Sequence, residues 1–304
     1  MKRLRVLIAE EFSYFLACPV LLWQFFFLYL PLALLVLYSF CDYAEATGTF
    51  TFTLKYYRDI FSAVYFKVFL NSLSVAFTTT MISFAIAYPV AYFLALKVRK
   101  RFRTILLFSL ILPSWTSLIV QIYAWMFLLD KNSFLNQFFY WTGLLPQSIN
   151  LTNSYFSVIV GMVSVYLPFM ILPIFTVLER MDKRLLEAAA DLGAGRFDTL
   201  RRVVFPQSLP GVYAGFVLVF LPSFGEFAVP TLLGGGKTIF LGNIIVNNFL
   251  ISRDWRAGAA LALVMVSFPL TMIFLAYCLD TLHKKFQRVA YALYTDFMKD
   301  VDNG

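Results

Sequence analysis

The stretch MDKRLLEAAADLGAGRFDTLRRVVFPQSLPG, Met181 to Gly211, decides how the rest of the chain is read. It is polar and basic, yet it stands between two long apolar runs. Asp182 can cap a helix at its N-terminus, and Gly193 can supply the left-handed residue that ends it. Between them Leu185, Leu186, Ala189 and Leu192 fall at helical spacing on one face. Three alanines, Ala188 to Ala190, keep that helix thin enough for another protein's backbone to come close. Asp198 can start a second helix through Thr199 to Val204, and Pro206 sits where a helix interior would not tolerate it. The pattern predicts a compact helix-turn-helix with Arg201 and Arg202 available to acidic partners. Two uses fit it at this point: a solvated connector lying on a membrane surface, or a docking element.

The flanking runs make the membrane explicit. Of 304 residues, 61% are hydrophobic and 14% charged, against about 45–50% and about 25% in a typical soluble domain. A bilayer core about 30 Å thick takes about 20 apolar residues as a helix. Six runs qualify: Ala17 to Phe40, Asn71 to Leu96, Thr104 to Leu128, Tyr155 to Leu178, Val212 to Leu233, and Ala257 to Leu279. The first follows MKRLR, and FLAC at Phe15 to Cys18 faintly resembles a lipoprotein cleavage site. Glu10 and Glu11 interrupt the approach, and the run is too long for the apolar region of a signal peptide, so it reads as a span. Every run contains proline, which membrane helices tolerate when neighbours or water satisfy the freed carbonyls.

Charge orients the spans. Three Lys or Arg precede the first run, five lie in KVRKRFR (Lys97 to Arg103), six lie between the fourth and fifth runs, and four follow the sixth. These 18 of 25 fall on one side of a six-span topology, and the remaining seven on the other. Lys and Arg concentrate on the cytoplasmic side. Both termini are therefore expected in the cytoplasm, and the net charge of +8 needs no nucleic-acid partner. The expected organisation is a cytoplasmic segment 1–16, a six-helix transmembrane domain 17–280 with an inward loop 179–211, and a cytoplasmic tail 281–304.

Several chemistries find no residues. Cys18, Cys41 and Cys278 are too widely spaced for a disulfide framework or a metal cluster. His283 stands alone in the basic stretch HKKFQR and reads as a solvated residue, which leaves zinc sites and Ser-His-Asp catalysis without a basis. Gly236-Lys237-Thr238 matches the end of a phosphate loop, but Thr231 stands where its first glycine is required. LLGGGKTIF therefore reads as a glycine-rich external turn.

One acid lies well inside an apolar run: Glu226, in SFGEFAVP (Ser223 to Pro230). It is the fifteenth residue of the fifth run, about 21 Å along it from the inner end at 1.5 Å per residue. A carboxylate at that depth usually faces a cavity and marks a pathway or a partner. Two readings stand: a contact for a cation arriving from outside, and a structural acid bonded to a neighbouring helix. In the third run Trp115 and Tyr123 are eight residues apart, a spacing that puts them on one helix face, and can offer cation–π contacts to an amine. Packing or lipid contact is the competing use, and Trp125 suits an interfacial anchor.

Glu187-Ala188-Ala189, then Gly193, then Val203-x-Phe205-Pro206 after nine residues, resembles the EAA coupling motif of membrane subunits of binding-protein-dependent ABC importers. The resemblance implies an all-α, six-helix permease of the type I importer kind. It implies that the loop docks into a groove on a separate ATPase subunit, with Glu187, Ala188, Ala189, Gly193 and Pro206 as coupling positions. It further implies that ATP is bound by that partner and that this chain needs no cofactor or metal. A second permease and an extracytoplasmic binding protein complete the expected machine, set in the lipid of a bacterial cytoplasmic membrane. From Tyr56 to Leu282 the chain is similar to the permeases of spermidine and putrescine importers, through LILPSWTSLIVQIYAW, DKRLLEAAADLGA, LPSFGEFAVPTLLGG and SRDWRAGAA. Thr231 departs from that group, some members of which carry an acid near there. Ferric iron or sulfate is the alternative cargo, although Glu226 would repel an anion. An ion-coupled secondary transporter is the alternative of another class; it needs a coupling-ion site and an inverted repeat, and it leaves the loop unexplained.

Overall fold

The computed structural model describes residues 18–44, 49–143, 151–275, 278 and 281. The segment 1–16 and His283 with the rest of the tail lie outside the described residues. Five helices are long and apolar enough to cross a membrane, and a sixth span results if one bent pair is taken as a single crossing. The all-α, six-span expectation stands, with local departures that matter for function.

The chain divides into two compact units, 1–56 with 259–304, and 57–258. In the first, α1 (Cys18–Phe40) leads into a hairpin, β1 (Cys41–Ala44) and β2 (Thr49–Phe52), with Cys41 opposite Phe52 and Ala44 opposite Thr49. Phe40 stacks on Phe52 at 5.7 Å between ring centroids, and Tyr56 donates to Asp42 Oδ1 at 3.1 Å. Within α1 the turn Phe25–Tyr29 is widened, its closing bond running from Leu30 N–H to the Phe25 carbonyl. Pro31 follows at once, so the carbonyl that its ring would strike lies in the loosened turn.

The second unit is built around α7 (Tyr155–Glu179), on which α3 (Ala63–Lys97) and α9 (Arg196–Gly225) both pack while touching each other. Between α3 and these come α4 (Lys100–Trp115), α5 (Leu118–Leu129) and the short α6 (Phe134–Trp141); α2 is Lys55–Ile60. The core along α7 is Val158, Met162, Met170, Ile171, Ile174 and Leu178, all fully buried. Helix α3 turns Ser72, Ala76, Thr79, Thr80, Ser83, Ala87 and Ala91 inward. Small residues let membrane helices approach closely where apolar burial supplies no drive. The same device sits on α9: a Cβ at Gly211 would lie 2.7 Å from the Pro173 carbonyl oxygen, and one at Gly215 would lie 2.7 Å from Met170 Sδ.

The third predicted span is not one rod. Helices α4 and α5 meet at 93°, with Thr116 and Ser117 at the corner. Pro113 closes α4 in a tight turn, and side chains take the bonds that the backbone gives up. Ser114 donates to the Ile111 carbonyl at 2.6 Å, while Thr116 Oγ1 (2.6 Å) and Gln121 Nε2 (2.5 Å) both donate to the Pro113 carbonyl. The fifth predicted span also differs. It starts sixteen residues earlier, at Arg196, and ends at Gly225; the chain then re-forms a helix only as α10 (Ala228–Leu233). The short α11 (Leu241–Ile251) and the last span, α12 (Trp255–Leu275), follow.

Candidate functional site

The surface loop forms α8 (Arg184–Asp191) much as its sequence predicts. Asp182 Oδ1 accepts the Arg184 N–H at 3.0 Å. Gly193 takes φ +78°, and the N–H groups of Gly193 and Ala194 return to the carbonyls of Ala190 and Ala189, each at 2.9 Å. That paired closure needs a left-handed residue and is the reason for the glycine. The predicted apolar face, however, is split. Ala189 is buried and Leu186 half-buried against the core, whereas Leu185, Ala188 and Leu192 point outward with Glu187. Leu192 is 88% exposed, and Phe197 beyond the turn is 73% exposed. An apolar ridge is thus offered to whatever approaches, and Phe197, an aromatic in the polar stretch AGRFDT, belongs to it unforeseen.

The second helix of the loop is neither short nor closed by Pro206. It begins at Arg196, with Asp198 in its first turn, and continues unbroken as α9. The turn Leu200–Val204 is widened, Phe205 N–H bonding back to the Leu200 carbonyl, which makes room for the ring of Pro206 as in α1. The expected stop is therefore a passage, and loop and span are one helix. Asp198 and Arg202 pair at 3.4 Å on the surface, where such a pair contributes little.

At the far end of α9 stands Glu226, in the break between α9 and α10 rather than inside a helix. Its Oε1 accepts the N–H groups of Phe227 (3.0 Å) and Ala228 (2.8 Å), and so caps α10. Its Oε2 accepts the hydroxyl of Tyr166, from the middle of α7, at 2.6 Å. Tyr166 is only 8% exposed, whereas Glu226 is half-buried and keeps one side open. Helix α10 is fixed at its other end as well. The Leu233 carbonyl accepts Ser157 Oγ at 2.8 Å and Asn153 N–H at 2.9 Å.

Asn243, from α11, closes the opposite side. Its amide donates to Thr231 Oγ1 (2.6 Å) and to the Phe227 carbonyl (3.2 Å), and Thr231 itself donates to that carbonyl at 2.6 Å. Gly242 lets α11 come this near, since a Cβ there would lie 2.6 Å from the Gly225 carbonyl oxygen. Thr231 is thus a brace of the break. Tyr166 and Asn243 were not anticipated; the signal is a hydroxyl inside the fourth apolar run and an amide in the short apolar stretch Leu241–Ile251, each of which needs a partner in an apolar setting.

Trp115 and Tyr123 do not share a helix face, because the bend at Thr116 puts them on separate arms. Both are exposed, and Trp115 meets Phe108 edge-on at 5.5 Å. The residue brought to Glu226 is Tyr166. Gly235 and Gly236, at φ +59° and +72°, form the turn that precedes Lys237.

The chain belongs to the family described as "Binding-protein-dependent transport system inner membrane component", whose sequence pattern matches residues 87–289. It is a multi-pass inner-membrane permease subunit of such a system. Over 273 residues it is 37% identical to the spermidine/putrescine transport system permease protein PotB of Haemophilus influenzae, covering 89% of this chain and 95% of the relative. Identity to PotB of Escherichia coli K12 is 38% over 244 residues, 80% of this chain and 88% of the relative. The inner membrane ABC transporter permease protein YdcU of the same organism is 31% identical over 264 residues, 83% of this chain and 80% of the relative. Among solved structures, a bacterial ABC transporter importing the acidic polysaccharide alginate superposes with a TM-score of 0.74 at 17% identity, over 90% of this chain and 97% of that one. The same fold recurs, at a TM-score of 0.72 and 18% identity over 90% and 96%, in a bacterial alginate ABC transporter in complex with a periplasmic protein carrying an alginate pentasaccharide.

Proposed function

We propose that this chain is one permease of an ATP-driven importer that brings polyamine, spermidine or putrescine, across the bacterial cytoplasmic membrane. Both termini and the loop 179–211 face the cytoplasm, in line with the bias of Lys and Arg. The loop docks on an ATPase subunit, which binds the ATP; the permease itself needs no cofactor and catalyses no reaction. A second, similar permease completes the pore, and an extracytoplasmic binding protein delivers the cargo.

The observation that carries this reading is the mounting of α8 on α9. Glu187, Ala188 and Gly193 are exposed beside the apolar ridge of Leu185, Leu192 and Phe197, Ala189 is buried beneath it, and Pro206 sits in the same uninterrupted helix that ends beside Glu226. Movement imposed on the ridge has a continuous helical route to the break. Glu226 supports a cationic cargo, since its half-buried carboxylate stands in irregular backbone at the end of that route. Trp115 and Tyr123 add exposed aromatic faces along the bent pair. A structural role for Glu226 is the second reading, favoured by its three hydrogen bonds.

The test is Glu187→Lys in the complete complex reconstituted in vesicles. Uptake of labelled spermidine is expected to be lost while the loaded binding protein still docks. Normal uptake would remove the loop from the coupling route.

A further inference from the structure

Arg103 is the one buried charged side chain among the described residues, although it belongs to the basic run KVRKRFR counted toward the cytoplasmic side. It sits in the first turn of α4, and its guanidinium reaches in three directions. Nη1 donates to Glu179 Oε1 at 2.8 Å. Nη2 donates to the carbonyls of Ala95 at 2.6 Å and Val98 at 3.4 Å. Its central carbon lies 5.9 Å from the ring centroid of Phe175. Ala95 is in the widened turn Phe93–Lys97 that closes α3, and Glu179 is the last residue of α7, five positions before α8 begins.

One side chain therefore binds the ends of α3, α4 and α7 at the foot of the docking helix. The two sides of this clamp are unequal. Arg103 is 9% exposed and takes up carbonyls that a helix end leaves without partners, whereas the Glu179 side chain is 44% exposed at the root of the loop. Arginine suits the place because a planar fork serves a carboxylate and backbone carbonyls at once, which an ammonium on a flexible stem does not. Its Nε is buried without a partner, a donor that this arrangement does not use.

We propose that Arg103 is a positioning residue for transport: through Glu179 it passes displacement of α8 to α3 and α4, so that three spans move with the docking helix. This rests on the reading of α8 as the ATPase-coupling element. The experiment uses the whole complex in vesicles and measures ATP hydrolysis stimulated by loaded binding protein together with uptake of labelled spermidine. In Glu179→Gln and in Arg103→Lys, hydrolysis is expected to persist while uptake per ATP falls about tenfold, the scale of one lost charge-assisted bond. Lys100→Gln, an exposed cation of the same run, is expected to leave the ratio unchanged. Both rates are measured on complex that size-exclusion chromatography scores as assembled, and an unchanged ratio in the two clamp variants overturns the proposal. So does an equal fall in Lys100→Gln, which would make the effect one of general charge. An unsubstituted complex that neither transports nor responds to its binding protein would instead overturn the importer reading beneath it.

Discussion

Replacing Glu226 by alanine and by glutamine separates the two uses its carboxylate can have. Alanine removes the acceptor of the buried Tyr166 hydroxyl, about 1–3 kcal/mol for a polar group left unpaired. It also removes the cap on α10, about 0.5–2 kcal/mol. Members of one network do not add fully, so the loss comes to about 2–4 kcal/mol. Against a total stability of about 5–15 kcal/mol that lowers the yield of assembled complex. Glutamine keeps an oxygen for the two N–H groups and can donate its amide to the Tyr166 oxygen, but the Tyr166 O–H then loses its acceptor, so the loss is about 1–3 kcal/mol with the cap on α10 retained. Assembly should survive. If the acid also meets an ammonium of the cargo, glutamine loses a further bond to a charged group, about 1.5–3 kcal/mol. That is a roughly ten- to hundredfold rise in the uptake KM. The assay is initial-rate uptake of labelled spermidine by reconstituted complex, with size-exclusion chromatography to score assembly. An intact Glu226→Gln complex with unchanged KM would leave Glu226 as a cap and nothing more.

Other outcomes follow from the loop and the bundle. Leu192→Asp and Phe197→Asp change exposed positions, so each should alter the permease's stability by less than about 0.5 kcal/mol. Both should weaken binding of the ATPase to the solubilised permease about tenfold or more, and equal affinity would discard the ridge as a docking surface. Gly193→Val forces a β-branched residue into a left-handed conformation at about 1–2 kcal/mol and should cut uptake, whereas Gly193→Asn should be tolerated; similar uptake by the two would show that φ at this position is unimportant. Gly211→Leu cannot fit against the Pro173 carbonyl, and overpacking of about 1–3 kcal/mol should lower the melting temperature of the complex in a thermal-shift measurement. An unchanged melting curve would mean that α9 does not rest on α7 there.

The spans are legible in the sequence because hydropathy sums over some twenty residues, and α1, α3, α7 and α12 each hold a strongly apolar window of that length. The loop is legible because Asp182 and Gly193 are local signals whose bonds form within a few residues. What sums over a window cannot register is a corner. At Thr116 the helix turns because Ser114, Thr116 and Gln121 replace backbone donors, and three polar residues barely alter the average of an apolar run. At the break the decisive residues are Tyr166, which bonds Glu226 from sixty residues before it, and Asn243, which bonds Phe227 and Thr231 from seventeen residues after Glu226. Pro206 misleads for another reason. A proline stops a regular α-turn, but the widened turn Leu200–Val204 moves the obstructed carbonyl aside. The hairpin did leave a trace, in the alternation of Thr49-Phe50-Thr51-Phe52.

The widened turn under Pro206 also sets a mechanical ratio. From Pro206 to Glu226 is twenty residues, about 30 Å of helix at 1.5 Å per residue. If the arm pivots at that widened turn, its short end is the one that carries α8. A tilt of about 10° at the joint would swing the Glu226 end by about 5 Å, roughly one helical turn. Under the proposed coupling, shifts of a few ångströms at the ridge would be geared up on the way through the membrane, with a proline that looked like a full stop as the fulcrum.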